Sequence, residues 1–235
     1  MDIAVSHAVL SEVAAGNLGP TLRLHIPAPV VAFGRADRVT SGYQAAIRAA
    51  RAHGFGAVER LAGGRAAVFH ESTIAFSLAV PDEEPRASIR PRFEMISNLM
   101  VEAFESLGVD ARVGELAGEY CPGQWSVNAG GLVKVMGVGQ RLVRGAAHVG
   151  GVVVVDEGER IRDVLIPVYR ALRIDWDPRT AGSLSDRAPG LSNQMVVAAI
   201  EERFRATHDM EERDLPDGVV AKAFTLIDNH LPEVA

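Results

Sequence analysis

CPGQWSVNAGGLVKVMGVGQRLVRGAAHVGGVVVV, residues Cys121 to Val155, decides how the chain is read. Two apolar, β-rich runs, near 131–142 and 147–155, flank Arg144-Gly145, a two-residue turn of the kind that joins paired strands. In that register Arg141 faces His148 and Gly139 faces Gly150. The paired glycines leave room for a ligand or a second backbone, or for tight packing. Lys134 sits among Leu132, Val133, Val135 and Met136, and alternation puts it on one face with Leu132 and Met136. Such a lysine is either a surface strand residue or points into a pocket. If buried, it needs an anionic or carbonyl partner. Cys121, the one cysteine of the chain, precedes this run in a loop. A thiol there is either incidental or a nucleophile with a cation or helix N-terminus nearby.

Outward from this hairpin, the pattern alternates strands and helices. Residues 3–15 form a short helix ended by Gly16, LRLHIP from Leu22 a strand, and PVVAFGR at 29–35 another. A helix over 42–53 stops at Gly54, and the strand at 72–81 closes at Pro81. Phe93, Ile96, Met100, Ala103 and Leu107 recur at helical spacing. VDARVGE forms a strand. Beyond Asp156 come a short helix in VLIPVYRALRI, a helix capped by Ser192, and a last one carrying Val220, Phe224 and Ile227. Strands interleaved with helices and followed by a helical tail indicate an α+β (mixed α/β) fold. The expectation is a mixed sheet flanked by helices, with a core over 1–164 and a small helical C-terminal extension of the same domain over 165–235.

The 235 residues are 48% hydrophobic and 23% charged, ordinary values for a globular chain with a sizeable core. A net charge of −6 argues against a nucleic-acid partner. No run reaches the ~18 apolar residues of a membrane span, and the N-terminus has no secretory signal pattern. A lone cysteine rules out an internal disulfide and a multi-cysteine zinc site, and it suits a reducing, cytoplasmic setting. P-loop, G-x-S-x-G, H-E-x-x-H and C-x-x-C motifs are absent, and GVGQRLVRG lacks the third glycine of a dinucleotide loop. The acidic runs at 82–84 and 211–212 read as solvated surface. No metal site is expected.

A second stretch, Arg60 to Glu71 (RLAGGRAAVFHE), carries Gly63-Gly64 between two strand-like runs. Taken alone it is either a plain turn or a loop whose N–H groups receive a phosphate or carbonyl oxygen, with Arg60 and Arg65 beside it. His70 alone reads as a structural histidine.

Together the two stretches resemble the lipoate–protein ligase, octanoyltransferase and biotin ligase superfamily. RLAGGRAAVFH is similar to its R-x-x-G-G-[GR]-x-V-x-H signature, and VKVMGVGQR to its K-[VI]-x-G-x-[AG]-Q-R segment, in the same order. FGRADRV resembles the upstream glycine–basic turn. The resemblance covers about 20–160. It implies a pocket for a medium acyl chain, with Arg60, Gly63, Gly64, Arg65 and His70 on the donor. Gly137, Gln140 and His148 would shape the pocket, and Lys134 would meet the acyl carbonyl or acyl phosphate. Glu71 stands where many members have aspartate.

Members divide by mechanism. Ligases use ATP and Mg to make an acyl-adenylate from free octanoate or lipoate. The related transferases take an acyl group from an acyl-carrier protein through a cysteine thioester and require no cofactor. Cys121-Pro122-Gly123-Gln124-Trp125 resembles the cysteine loop of one transferase group, although the loop is compressed, and Arg65 in place of a third glycine agrees. Cys121 and Lys134 are therefore the expected catalytic pair, with a lipoyl domain or glycine-cleavage H protein as acceptor. An ATP-dependent ligase and a non-catalytic acyl-binding module are the alternatives. The sequence indicates no oligomeric state.

Overall fold

The computed structural model describes residues 1–233. The elements run α1 (Asp2–Ala14), β1 (Thr21–His25), β2 (Val30–Phe33), α2 (Arg35–Arg38), α3 (Tyr43–Ala52), β3 (Gly56–Glu59), β4 (Ala67–Phe69) and β5 (Thr73–Pro81). Then follow α4 (Ile89–Ser106), β6 (Ala111–Val113), β7 (Val127–Ala129), β8 (Val133–Val143), β9 (Ala146–Val154), α5 (Gly158–Leu172), α6 (Asn193–Thr207) and α7 (Asp217–Leu226). A 3-10 turn over Ile227–His230 follows α7. The α+β architecture stands, with the strands divided between two sheets. One is antiparallel and six-stranded, in the order β1-β5-β9-β8-β7-β6; the other is β3-β2-β4, with β3 parallel and β4 antiparallel to β2.

The hairpin at the centre of the large sheet has the register read from the sequence. Gly139 pairs with Gly150 and Arg141 with His148, around a turn whose Gly145 has φ +81°. One expectation fails. Lys134 does not share a face with Met136, because β8 carries a bulge: Asn128 of β7 pairs with Lys134, but Val127 pairs with Met136, so Val135 is skipped. Val135 and Met136 both enter the core, and Lys134 turns to the opposite face with Gly137. Leu132 lies outside the strand and is exposed.

Each helix layer buries its apolar stripe in a different place. One face of the large sheet packs Phe76, Val149 and Val153 against Met100 and Phe104 of α4 and Ile200 and Phe204 of α6. The small sheet packs Val31, Phe33 and Val68 against Ile47 of α3 and Leu165 and Tyr169 of α5. Val5 and Val9 of α1 meet Val219 and Ala223 of α7. Three separate cores therefore use helices from both ends of the chain, and the expected division at 164/165 falls inside α5. The second face of the large sheet looks onto the small sheet, and the space between them is where the site lies.

Candidate active site

Cys121 has φ +44°, a left-handed backbone that a non-glycine residue adopts only when its surroundings hold it there. Both ends of the residue are held. Its N–H donates to Tyr169 Oη at 2.9 Å, and its carbonyl oxygen accepts from Lys134 Nζ at 2.8 Å. The Tyr169 hydroxyl in turn donates to the Ala66 carbonyl at 3.0 Å, so one side chain from α5 ties the cysteine loop to the loop after Gly63-Gly64.

Lys134 is 1% exposed. An ammonium has three hydrogens, and they are met by Glu119 Oε1 at 2.8 Å, the Tyr120 carbonyl at 3.0 Å and the Cys121 carbonyl at 2.8 Å. The partner that burial demands is therefore Glu119, itself buried, which also accepts from Ser126 Oγ and Leu116 N–H. In this arrangement Lys134 holds the backbone of Cys121 and makes no contact with its sulfur.

Two other donors converge on Sγ. The backbone N–H of Arg65 is 3.1 Å away and Arg60 Nη1 is 3.7 Å away. Arg60 also donates to the Arg65 carbonyl, which fixes the guanidinium across the loop. The sulfur fits this close because residue 64 is glycine. A Cβ there would stand 2.9 Å from Sγ and 2.8 Å from Arg60 Nη1, and φ is +113°. Gly64→Ala is expected to push the thiol off these donors and cut acylation of Cys121 at least tenfold, by roughly 1–3 kcal/mol of strain; native acylation kinetics in that variant, followed by intact mass, would refute this placement. Gly34 in the FGR turn lets the loop sit down, since a Cβ on it would come 1.8 Å from the Gly64 carbonyl oxygen. The buried Asp37 then accepts from Gly34 N–H and Arg65 Nη1. Burial raises its pKa, and these two donors work against that rise.

A groove of about 400 Å³ contains Cys121 and is lined by Arg60, Gly63, Gly64, Lys134, Gly137 and Gln140, among others. It adjoins a mostly apolar cavity of about 280 Å³ between the two sheets, with Arg60, Phe69 and Gly151 common to both. His148 lies on that cavity, and its ring occupies the space that a side chain on Gly150 would need. The structure thus gathers all but two of the residues singled out in the sequence onto these spaces. Arg65 takes part through its N–H, its side chain being drawn to Asp37. His70 lines neither space. Its ring is buried in the 70–73 turn, away from the space expected for a donor, where Nδ1 accepts from Ser72 N–H and faces Glu157 at 3.8 Å. Gln140 lines the groove, and its backbone carbonyl accepts from Gly63 N–H. Its amide group turns to the other face of the sheet, to Arg92 and the Ile89 carbonyl of α4.

Three residues were missed. Glu119 and Asp37 sit inside stretches already quoted or next to them, and a buried lysine or arginine loop is the signal that could have pointed to them. Tyr169 lies 48 residues from Cys121, and only the packing of α5 reveals it.

His148 is buried, with Nδ1 unpartnered, and its pKa falls to about 4, chiefly through burial and then through the charges of Arg60 and His7. A histidine depressed in the fold from 6.5 is neutral there while the unfolded chain takes up protons. Its contribution is fully present above pH 6.5 and is lost as pH falls toward 4, on the order of 3 kcal/mol. His7, His25, His70 and His230 shift in the same direction. Urea melts between pH 4 and 7.5 are expected to show His148→Gln with a slope shallower by about one proton than the native chain. Equal slopes would remove His148 from the account.

Residues 1–205 match the lipoyl protein ligase A/B catalytic domain model. The chain belongs to that family. An octanoyl-[GcvH]:protein N-octanoyltransferase of Geobacillus kaustophilus is 32% identical over 146 residues, 62% of this chain and 51% of that protein. Its counterpart in Anoxybacillus flavithermus is 26% identical over 211 residues, 86% and 74% of the two chains. The octanoyltransferase LipM of Kyrpidia tusciae is 33% identical over 113 residues, 47% of this chain and 40% of that protein. The aligned part thus spans about half the length of the Geobacillus relative. Among solved structures, a putative lipoate protein ligase from T. acidophilum with bound lipoic acid superposes with a TM-score of 0.76 at 20% identity, covering 97% of this chain and 89% of that one. A lipoate-protein ligase A bound with ATP gives 0.77 at 19% identity, covering 96% and 88%. These two likenesses establish the fold. The described residues contain no cluster of three or more His, Cys, Asp or Glu able to hold a metal, and no helix long and apolar enough to cross a membrane.

Proposed function

We propose that this protein is an acyltransferase that moves an octanoyl or lipoyl group, through a thioester on Cys121, onto the lysine of a lipoyl domain or a glycine-cleavage H protein. The observation that carries the reading is the set of donors on the cysteine sulfur: the N–H of Arg65 and the guanidinium of Arg60, at the junction of an open groove and an apolar cavity. The acyl chain lies in the cavity between the sheets, with its carbonyl at Arg60. Sγ attacks the carbonyl carbon, and donors that face the sulfur also face the oxygen that gains charge beside it. One such donor is typically worth ~3 kcal/mol in the transition state. The donor group departs, leaving the acyl group on sulfur, and the acceptor amine then enters by the groove and takes it. Lys134 and Tyr169 act as positioning residues that keep Cys121 in its left-handed conformation. The donor is an octanoyl group carried on a protein, the reading needs neither ATP nor Mg, and a cytoplasmic setting belongs with it.

The test is incubation with an octanoyl thioester of a carrier protein, without ATP, followed by intact mass. An octanoyl adduct on the native chain, which passes to a lipoyl domain or H protein, is expected. Modification of the acceptor by free octanoate that requires ATP, with no adduct, would replace this reading with a ligase. Acyl binding with neither reaction would leave a binding module.

A further inference from the structure

The groove at Cys121 and the apolar cavity lie over different strands of the large sheet. Lys134, Gly137, Val138 and Gly139 of β8 line the groove, and no β8 residue lines the cavity. The floor of the cavity comes instead from Gly150 of β9, Ser77 of β5 and His25 of β1, among others. The strand order is β8-β9-β5-β1. The cavity therefore leads away from the sulfur, across β9 and β5, toward β1.

The register lays out the steps of this floor. Gly139 pairs with Gly150, Gly150 with Ser77, and Ser77 with Arg23 of β1. Directly paired residues of antiparallel strands share a face, so the four form one line across the sheet. The line begins at the site. A Cβ on Gly139 would stand 3.4 Å from Arg60 Nη2, and the other terminal nitrogen of that guanidinium, Nη1, is the one that faces Sγ. At the next step the His148 imidazole lies over Gly150. The third step is Ser77, which is buried and whose hydroxyl has no hydrogen-bond partner among the described residues. Beyond it the wall turns charged. Arg23 Nη2 donates to Asp2 Oδ1 at 2.7 Å, Arg23 Nη1 meets His25 Nε2 at 3.3 Å, and both Asp2 and His25 line the cavity.

The groups at Cys121 meet the carbonyl end, which every acyl chain shares, so length is sensed only where the methyl end arrives. Neighbouring strands lie about 4.8 Å apart, which puts Ser77 about 10 Å along the line from Gly139. An extended chain covers about 3.5 Å in three bonds, so roughly eight bonds fill that distance. A longer chain would push its methyl end among Arg23, Asp2 and His25 and strip water from an ion pair without giving it a partner. We propose that Ser77 of β5 marks the far end of the acyl site and sets the chain length this protein accepts. The role rests on reading the cavity as the acyl site and Cys121 as the point of attachment.

The experiment uses carrier-protein thioesters of six-, eight-, ten- and twelve-carbon saturated acids on the full chain. Sγ bonds to the acyl carbon, the bond to the carrier sulfur breaks, and the thiol proton leaves with the carrier. Adduct formation is timed by intact mass, and binding of the matching free fatty acids is measured by calorimetry. The native rate is expected to fall at least about tenfold from eight to twelve carbons. Ser77→Leu, which fills the far end, is expected to lower the eight-to-six-carbon rate ratio at least about tenfold. Ser77→Ala, which removes the unpartnered hydroxyl and opens the end, is expected to raise the ten-to-eight-carbon ratio several-fold. Thermal melts confirm that each variant is folded, and Ser77→Ala carries the test if the leucine is not accommodated. Unchanged profiles in folded variants, or a native chain that takes twelve carbons as readily as eight, overturn the role of Ser77 and leave the thioester reading intact. If no thioester gives an adduct but Ser77→Leu still shortens the longest fatty acid bound, the role stands and the thioester reading falls. Binding of no chain length by either method overturns the role.

Discussion

Cys121→Ala is expected to abolish the acyl adduct and to slow octanoyl transfer by at least about 10³-fold, as removal of a covalent nucleophile does. The sulfur accepts from Arg65 N–H and Arg60, both of which can turn to water, and the half-buried Cys121 packs only at the margin of the small-sheet core, so its loss costs the fold little. The N–H and carbonyl of residue 121 keep their partners in the variant. The melting temperature is therefore expected to stay within a few degrees of native, a shift worth about 1 kcal/mol or less. That separation of rate from stability distinguishes a nucleophile from a packing residue. Transfer persisting at near-native rate in the folded variant would exclude the thioester, whatever the fold relationship.

Lys134→Met is expected to act on stability first. Glu119 would then remain buried with only Ser126 Oγ–H and Leu116 N–H as partners, and stranding one member of a buried ion pair typically costs about 3–5 kcal/mol. The Tyr120 and Cys121 carbonyls lose their donor at the same time. Urea unfolding of Lys134→Met beside Lys134→Met/Glu119→Gln measures this: the double variant recovers part of the loss because the stranded charge is gone. In folded protein at low temperature, adduct formation is expected to fall while fatty-acid binding in the apolar cavity holds, since Lys134 touches the backbone of Cys121 and does not line that cavity. A destabilisation under about 1 kcal/mol would mean that the pair is solvated and that Lys134 does not hold the loop.

The hairpin register was legible because a two-residue turn at Arg144-Gly145 leaves no freedom: once Val143 faces Ala146, every later pair follows by counting. The face of Lys134 was not legible by the same counting. A bulge opposite Val127 skips Val135 and reverses the alternation below it, and such a bulge has no sequence mark in a run of Val, Lys, Val and Met. Gly63-Gly64 was legible as a glycine turn, either plain or open to a ligand. What comes close, the Cys121 sulfur, was visible only through the resemblance to other chains. His70 matches a signature position, and its ring lies in the 70–73 turn, as the residue read alone suggested.

By itself the sequence determined the α+β class and the hairpin with its register, which follow from local rules of side-chain period and turn geometry; that the two stretches meet at one site came from their resemblance to a family. Only the tertiary structure decided which atoms face one another. It set Tyr169 of α5 and Lys134 on the two ends of the Cys121 peptide, brought Arg60 and Arg65 to its sulfur, and put Ile227 and His230 among the residues lining the apolar cavity. These contacts join residues tens to hundreds of positions apart, and they depend on how three cores pack together, which no local period encodes.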